Sequence, residues 1–254
     1  MSGAAQENPY AGLARPDAAR YKACVARTAD NPDVALEAAE LWLDNDGGVP
    51  AKHCLALALL AIGESAEAAQ WLEEAARDVS AGMGLDAMGV EGGPEIRVQL
   101  LVQAGNAWML GYEYDRAYRA LTNALTILPA TDKRRHEIFM DRSRAAAGQG
   151  NWQKAIDDLS QILVVDDGHV EAYVMRAAAR RRLGQFADAD EDLARALGLS
   201  PGNPQALLER GNLRRIEGDD AAARRDWQRL VNLHPGTDEA EIALDNLELM
   251  RADP

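Results

Sequence analysis

Residues 170–203 read VEAYVMRAAARRRLGQFADADEDLARALGLSPGN, and residues 204–237 read PQALLERGNLRRIEGDDAAARRDWQRLVNLHPGT. The second stretch restates the spacing of the first. Arg176 and Arg210 fall in one column, as do Gly184/Gly218, Phe186/Asp220, Ala189/Ala223, Leu193/Trp227 and Pro201/Pro235. One period earlier Arg142, Gly150, Trp152, Ala155, Leu159 and Asp167 occupy the same columns. A constant 34-residue period with fixed small, large and glycine positions marks a stack of helical hairpins, each burying its apolar face against the next.

Outward from this stretch the repeat continues in both directions. Pairs of helices are expected at about 16–48, 49–81, 98–131, 136–169, 170–203 and 204–237, forming one solenoid over 16–252 after an N-terminal tail, 1–15, that holds Asn8-Pro9 and Gly12. The first pair matches the period poorly; Asn31 before Pro32 is a cap signal, and Asn45-Asp46-Gly47-Gly48 a stop signal. In the second, Leu55, Ala56, Leu59, Gly63, Ala68, Leu72 and Ala75 supply large and small packing positions. The period breaks at 79–97, VSAGMGLDAMGVEGGPEIR, where Met83, Leu85, Met88 and Val90 in a glycine-rich insert suit either a tucked loop or a movable flap. Asp132-Lys133-Arg134-Arg135 is a second, shorter insertion. Residues 238–252 form an amphipathic capping helix with Ala240, Ala243, Leu244, Leu247 and Met250 on one face.

Residues 49–237 resemble tandem tetratricopeptide repeats, with Ala177, Gly184, Phe186, Ala189, Leu193, Ala196 and Pro201 standing at that family's signature places. The resemblance implies an all-α fold, a right-handed superhelical solenoid of antiparallel helix pairs, and a non-enzymatic adaptor that binds a protein or peptide in its concave groove. The family's groove places fall on Gln99, Gln103, Asn106, Met109, Glu137, Met140, Asp141, Arg144, Glu171, Met175, Arg181, Arg182, Glu209, Asn212 and Arg215. Asparagine amides at 106 and 212 suit a peptide backbone, offering one donor and one acceptor each. Arg144, Arg181 and Arg215 favour an extended acidic segment, unless Glu137, Asp141, Glu171 and Glu209 already match their charge. Where the family's carboxylate-clamp members carry a basic residue, this chain has Val102, Met140, Val174 and Leu208, which argues against a clamp for chaperone tails.

A second series of charges repeats with the arginines. Asp158, Asp192 and Asp226 lie as far after each turn glycine as the arginines lie before it. Antiparallel helices bring such places face to face, predicting the structural pairs Arg142–Asp158, Arg176–Asp192 and Arg210–Asp226. Exposed pairs would contribute about 0.2–1 kcal/mol each.

Composition narrows the class. The net charge of −14 disfavours nucleic acid as a partner. The longest apolar run, Cys54 to Ile62, is well short of the roughly 18 residues of a membrane span, so a soluble protein without membrane insertion is expected. The start Met1-Ser2-Gly3-Ala4-Ala5 carries no export signal, although a similar start remains after a leader is removed. Cys24 and Cys54 fall on the first helices of adjacent pairs, where either a disulfide or two buried thiols fits. A bridge would add about 3–4 kcal/mol and imply an oxidising compartment such as a bacterial periplasm, the alternative being the cytoplasm.

No catalytic motif, cofactor loop or paired-histidine metal helix appears, and no enzyme activity, cofactor or metal is expected. His53, His136, His169 and His234 are dispersed; Asp166-Asp167-Gly168-His169 with Glu171 reads as a turn, and Asp44-Asn45-Asp46-Gly47 lacks the later glutamate of a calcium loop. The competing function is a structural homo-oligomer, a homodimer formed through the insert or through Ile242 and Leu249 on the terminal helix.

Overall fold

The computed structural model describes residues 15–81 and 92–252. The tail and Met83, Leu85, Met88 and Val90 of the insert lie outside the described residues, within which every element is a helix. The chain divides into two compact units, Met1–Gln149 and Gly150–Pro254, whereas the sequence reads as a single solenoid. The boundary falls in the turn between the seventh and eighth helices.

The first unit contains α1 (Arg15–Asp30), α2 (Pro32–Leu43), α3 (Gly48–Ala61), α4 (Ser65–Ser80), α5 (Gly93–Leu110), α6 (Tyr114–Ile127) and α7 (Arg135–Gly148). Each helix packs against the next in sequence, and α1 and α5 also reach α3 and α7, the first helices of the following pairs. A helix covered on several sides must be apolar nearly all round. Thus α3 buries nine side chains between Val49 and Leu59, and α5 buries Ile96, Val98, Leu100, Leu101 and Trp108 among others. The insert is shorter than 79–97: α4 continues through Ser80 and α5 starts at Gly93. Pro94 permits that early start, because a proline in the first helical turn gives up an N–H that has no intrahelical acceptor.

The second unit contains α8 (Trp152–Val165), α9 (Val170–Arg182), α10 (Phe186–Leu199), α11 (Pro204–Ile216), α12 (Asp220–Leu233) and α13 (Asp238–Ala252). Side-chain caps start four of these helices: Asn151, His169, Asn203 and Asp219 accept from Lys154, Ala172, Ala206 and Ala222 backbone N–H groups. Ala177, Ala189, Leu193, Ala196, Leu207, Leu213, Trp227, Leu230, Ala243, Leu247 and Met250 form one continuous core. Leu244 departs from the expected face of α13 and is 45% exposed. It sits at the edge of the Ala240/Ala243/Leu247/Met250 stripe on α13, the last described helix.

Close helix packing depends on size matching across each pair. A Cβ on Gly105 would stand 2.6 Å from Leu121 Cγ, and one on Gly211 would stand 2.6 Å from Trp227 Cδ1. Ala177 holds the place of Gly211 one period earlier and faces the smaller Leu193. The turns repeat too, with Gly63, Gly150, Gly184 and Gly218 at positive φ; the third pair puts Tyr112 there, at φ 59°.

Candidate functional site

Four alternate helices of the first unit, α1, α3, α5 and α7, line a pocket of about 760 Å³. Tyr21, Lys22, Val25 and Ala26 come from α1, His53 from α3, Val98, Gln99, Val102, Gln103 and Asn106 from α5, and Glu137, Ile138 and Asp141 from α7; Arg134 precedes α7. Positions 98, 99, 102, 103 and 106 lie on one α5 face by helical periodicity. Valines and Ile138 make an apolar floor, amides and charged groups a polar edge. That combination suits a ligand with an apolar group on a polar backbone.

A buried polar chain crosses the floor. The Tyr21 hydroxyl lies 2.8 Å from His53 Nδ1, and His53 Nε2 lies 2.7 Å from Gln103 Oε1. The amide oxygen can only accept, so Nε2 carries the ring proton and Nδ1 accepts from the tyrosine. Burial pushes the His53 pKa down to about 4, opposed by the Gln103 hydrogen bond. Burial also raises the Tyr21 hydroxyl, leaving it protonated and able to donate. Beside this chain, Cys24 and Cys54 meet in a disulfide with Cα atoms 6.2 Å apart, fastening α1 to α3.

At the pocket edge, burial raises Asp141, against the opposing effect of Arg144 and Asn106. Arg144 Nη1 donates to Asp141 at 2.7 Å. Arg134 holds Asp132 through two contacts, Nε–Oδ1 at 3.0 Å and Nη2–Oδ2 at 2.6 Å, which lower the Asp132 pKa to about 2.

Of the residues expected in the groove, Gln99, Gln103, Asn106, Glu137 and Asp141 meet in this pocket. Met109 does not line it. Met140 does not line it either; it is 6% exposed, buried with Phe139 in the packing of α7. In the second unit Arg181 donates to Glu209, with Nε–Oε2 at 2.9 Å and both side chains mostly covered. Arg215 donates to Asp220 at 2.7 Å, and Asn246 Nδ2 donates to Asn212 Oδ1 at 3.2 Å. The exposed Arg182 guanidinium lies over the Trp152 ring, 5.5 Å from its centroid, while Met175 is half-buried and Glu171 exposed.

Two of the three expected pairs lie in the second unit, built into its core rather than its surface. Arg176 grips Asp192 with Nε–Oδ2 at 3.0 Å and Nη2–Oδ1 at 2.7 Å, and Arg210 grips Asp226 with the same atoms at 2.9 and 2.7 Å. Each aspartate also accepts from an arginine one turn on, Arg180 at 2.7 Å and Arg214 at 2.5 Å. Asp192 and Asp226 are only 3% and 4% exposed, so they are buried charges with matched donors. Arg142 and Asp158 belong to different units; within its own, Arg142 donates to Thr122 Oγ1 at 3.1 Å, as Arg176 does to Ser160 Oγ at 3.0 Å in the other.

Tyr21, Lys22, Val25, Ala26, His53, Val98, Arg134 and Ile138 line the pocket although the sequence does not place them there, and Val102 is expected only as a place that lacks a basic residue. The α1 positions carry no signal, because the first pair departs from the period that aligns the others. Arg180 and Arg214 did carry one, since they too are 34 residues apart, with Ala146 one period before Arg180.

No protein-family model and no curated protein sequence matches the chain. Solved structures do. A protein described as YrrB, "a TPR protein with an unusual peptide-binding site", is 14% identical over 81% of this chain and 96% of its own, with a TM-score of 0.56. MamA from Desulfovibrio magneticus RS-1 is 18% identical over 75% of this chain and 97% of its own, at 0.58. Pseudomonas aeruginosa pilF is 15% identical over 91% of this chain and 100% of its own, at 0.57. Identities this low establish the architecture and leave the ligand open. With its repeated hairpins, turn glycines and size-matched helix contacts, the chain has the tetratricopeptide-repeat fold.

Proposed function

We propose that the protein is a non-enzymatic adaptor that captures an extended peptide segment in the first unit's pocket. The observation that carries this reading is one cavity of about 760 Å³ with an apolar floor, edged by Gln99, Asn106, Glu137 and Asp141. The volume suits a few residues of a peptide. An apolar side chain on the valine and isoleucine floor would supply affinity, and the amides of Gln99 and Asn106 would engage its backbone. The peptide-binding site named for YrrB supports the reading by analogy of fold.

Charge has a smaller part than the arginines suggest in the sequence. Arg144, Arg181 and Arg215 each face a carboxylate, so an acidic ligand would have to displace Asp141, Glu209 or Asp220. The bridged cysteines support an oxidising setting, and a bacterial periplasm is the compartment proposed. Self-association is the second reading, favoured by Ile242 and Leu249, which lie two turns apart on α13 and are 49% and 69% exposed.

A random dodecapeptide display library, selected on the oxidised protein, tests the adaptor. Selected peptides should share an apolar position and lose binding to Gln99→Trp, which fills the pocket from an exposed site. Failure to select any peptide sensitive to that substitution would leave self-association as the stronger reading. Sedimentation of the parent and of Ile242→Glu/Leu249→Glu then decides it: a dimer lost in the variant supports assembly, whereas monomers throughout reject it.

A further inference from the structure

We infer that the Cys24–Cys54 disulfide is a redox latch on the pocket: it holds α1 in place as a wall, and its reduction frees that wall and weakens ligand binding. The inference rests on the peptide-pocket reading above and adds its regulation.

Three observations converge on α1. First, it is poorly anchored. From Asp17 to Asp30 only Tyr21 and Cys24 are buried, whereas α3 buries nine side chains. A helix with so little apolar burial stays docked only with help from other contacts. Second, both buried side chains reach the same place. Tyr21 meets His53 at 2.8 Å and Cys24 is bonded to Cys54, so adjacent residues of α3 receive both anchors. Third, the same turns of α1 present Tyr21, Lys22, Val25 and Ala26 to the pocket. Among the described residues α1 also packs along α2 and α3, with the Arg20 guanidinium over Trp42, 4.9 Å from the ring centroid, and a short link through Asn31 to α2.

The chemistry is a thiol–disulfide exchange. A dithiol donates two electrons and two protons; the Cys24–Cys54 bond breaks to give two thiols, and the dithiol closes into its own disulfide. The covalent anchor is lost while Asn31 still tethers α1, so the wall swings on that link rather than leaving the chain. The ligand then loses the contacts of Val25 and Ala26, and water reaches the Tyr21–His53–Gln103 chain.

The test uses the full chain in three forms: oxidised, reduced with dithiothreitol, and as Cys24→Ser/Cys54→Ser. Hydrogen exchange read by mass spectrometry should show at least tenfold faster exchange across 15–30 in the reduced and serine forms, with α9–α12 protected as before. A fluorescein-labelled peptide from the dodecapeptide selection, followed by anisotropy, should bind those forms at least tenfold more weakly. Unchanged exchange in α1 would overturn the latch, and so would faster α1 exchange with unchanged affinity, or loss of protection throughout the chain. If the oxidised protein selects no peptide, the pocket reading fails and the regulation with it. If a peptide is selected and binds every form equally, only the latch fails.

Discussion

His53 and Gly211 show how single residues constrain this protein. His53 is buried with both ring nitrogens engaged, and its pKa falls from 6.5 to about 4. The unfolded chain binds a proton at this residue below about pH 6.5 and the folded chain does not, so stability is full above that pH and falls toward pH 4. The loss reaches about 3 kcal/mol. Asp141, raised by burial in the same pocket, acts in the opposite sense and relieves part of it. Urea denaturation between pH 7 and pH 4 should therefore show a smaller acid loss for His53→Gln than for the parent; equal losses would mean that the ring titrates normally. Gly211 is a steric requirement, since a methyl group there collides with the Trp227 indole. Gly211→Ala should cost about 1–3 kcal/mol. In a Trp227→Leu background, which recreates the alanine–leucine match of Ala177 and Leu193, the same change should cost less, and an equal cost would refute the size-matching account.

Among the elements, the α9–α10 and α11–α12 hairpins share a clamp in which one buried aspartate is gripped by two arginines a turn apart. The arginine and aspartate columns are legible in the sequence because the period aligns them, but their burial is not, since it depends on what covers the hairpin. Burial changes the energetics from those of a surface pair to those of a charge that cannot lose its partner. Arg176→Ala should destabilise by about 2–3 kcal/mol. Asp192→Ala should cost less in that background than in the parent, by a coupling of about 0.5–3 kcal/mol; additive losses in denaturation midpoints would contradict a clamp. Lys52 on α3 is a related device of opposite sign. Burial pushes its pKa down, but hydrogen bonds to Glu74 and Asp78, one turn apart on α4, outweigh this and hold it above its ordinary value. The same period that aligns the clamps predicts the second helices well, because α6, α8, α10 and α12 each carry one buried apolar stripe, although Val164 and Val165 stand exposed at the end of α8.

For the molecule as a whole, the repeat is readable and the site is only half readable. Gln99, Gln103, Asn106, Glu137 and Asp141 follow from the resemblance, since α5 and α7 keep the family's spacing on either side of the four-residue insertion at 132–135. The α1 wall and His53 do not, because α1 has few buried apolar residues to set a register and is joined to α3 by a disulfide and the Tyr21–His53 hydrogen bond. Charge misleads in the opposite direction: Arg144, Arg181 and Arg215 stand out in an acidic chain, yet each is matched by a nearby carboxylate. The recognition proposed above therefore rests on the apolar floor and amide edge of the first unit rather than on the arginines. The most direct test is an anisotropy titration of one selected dodecapeptide against the oxidised parent, Asn106→Ala, Gln99→Trp and Arg181→Glu/Arg215→Glu. Binding to Asn106→Ala and Gln99→Trp should be at least tenfold weaker, and the arginine variant should keep near-parent affinity. Binding that survives both pocket substitutions and disappears with the arginines would contradict recognition by the pocket.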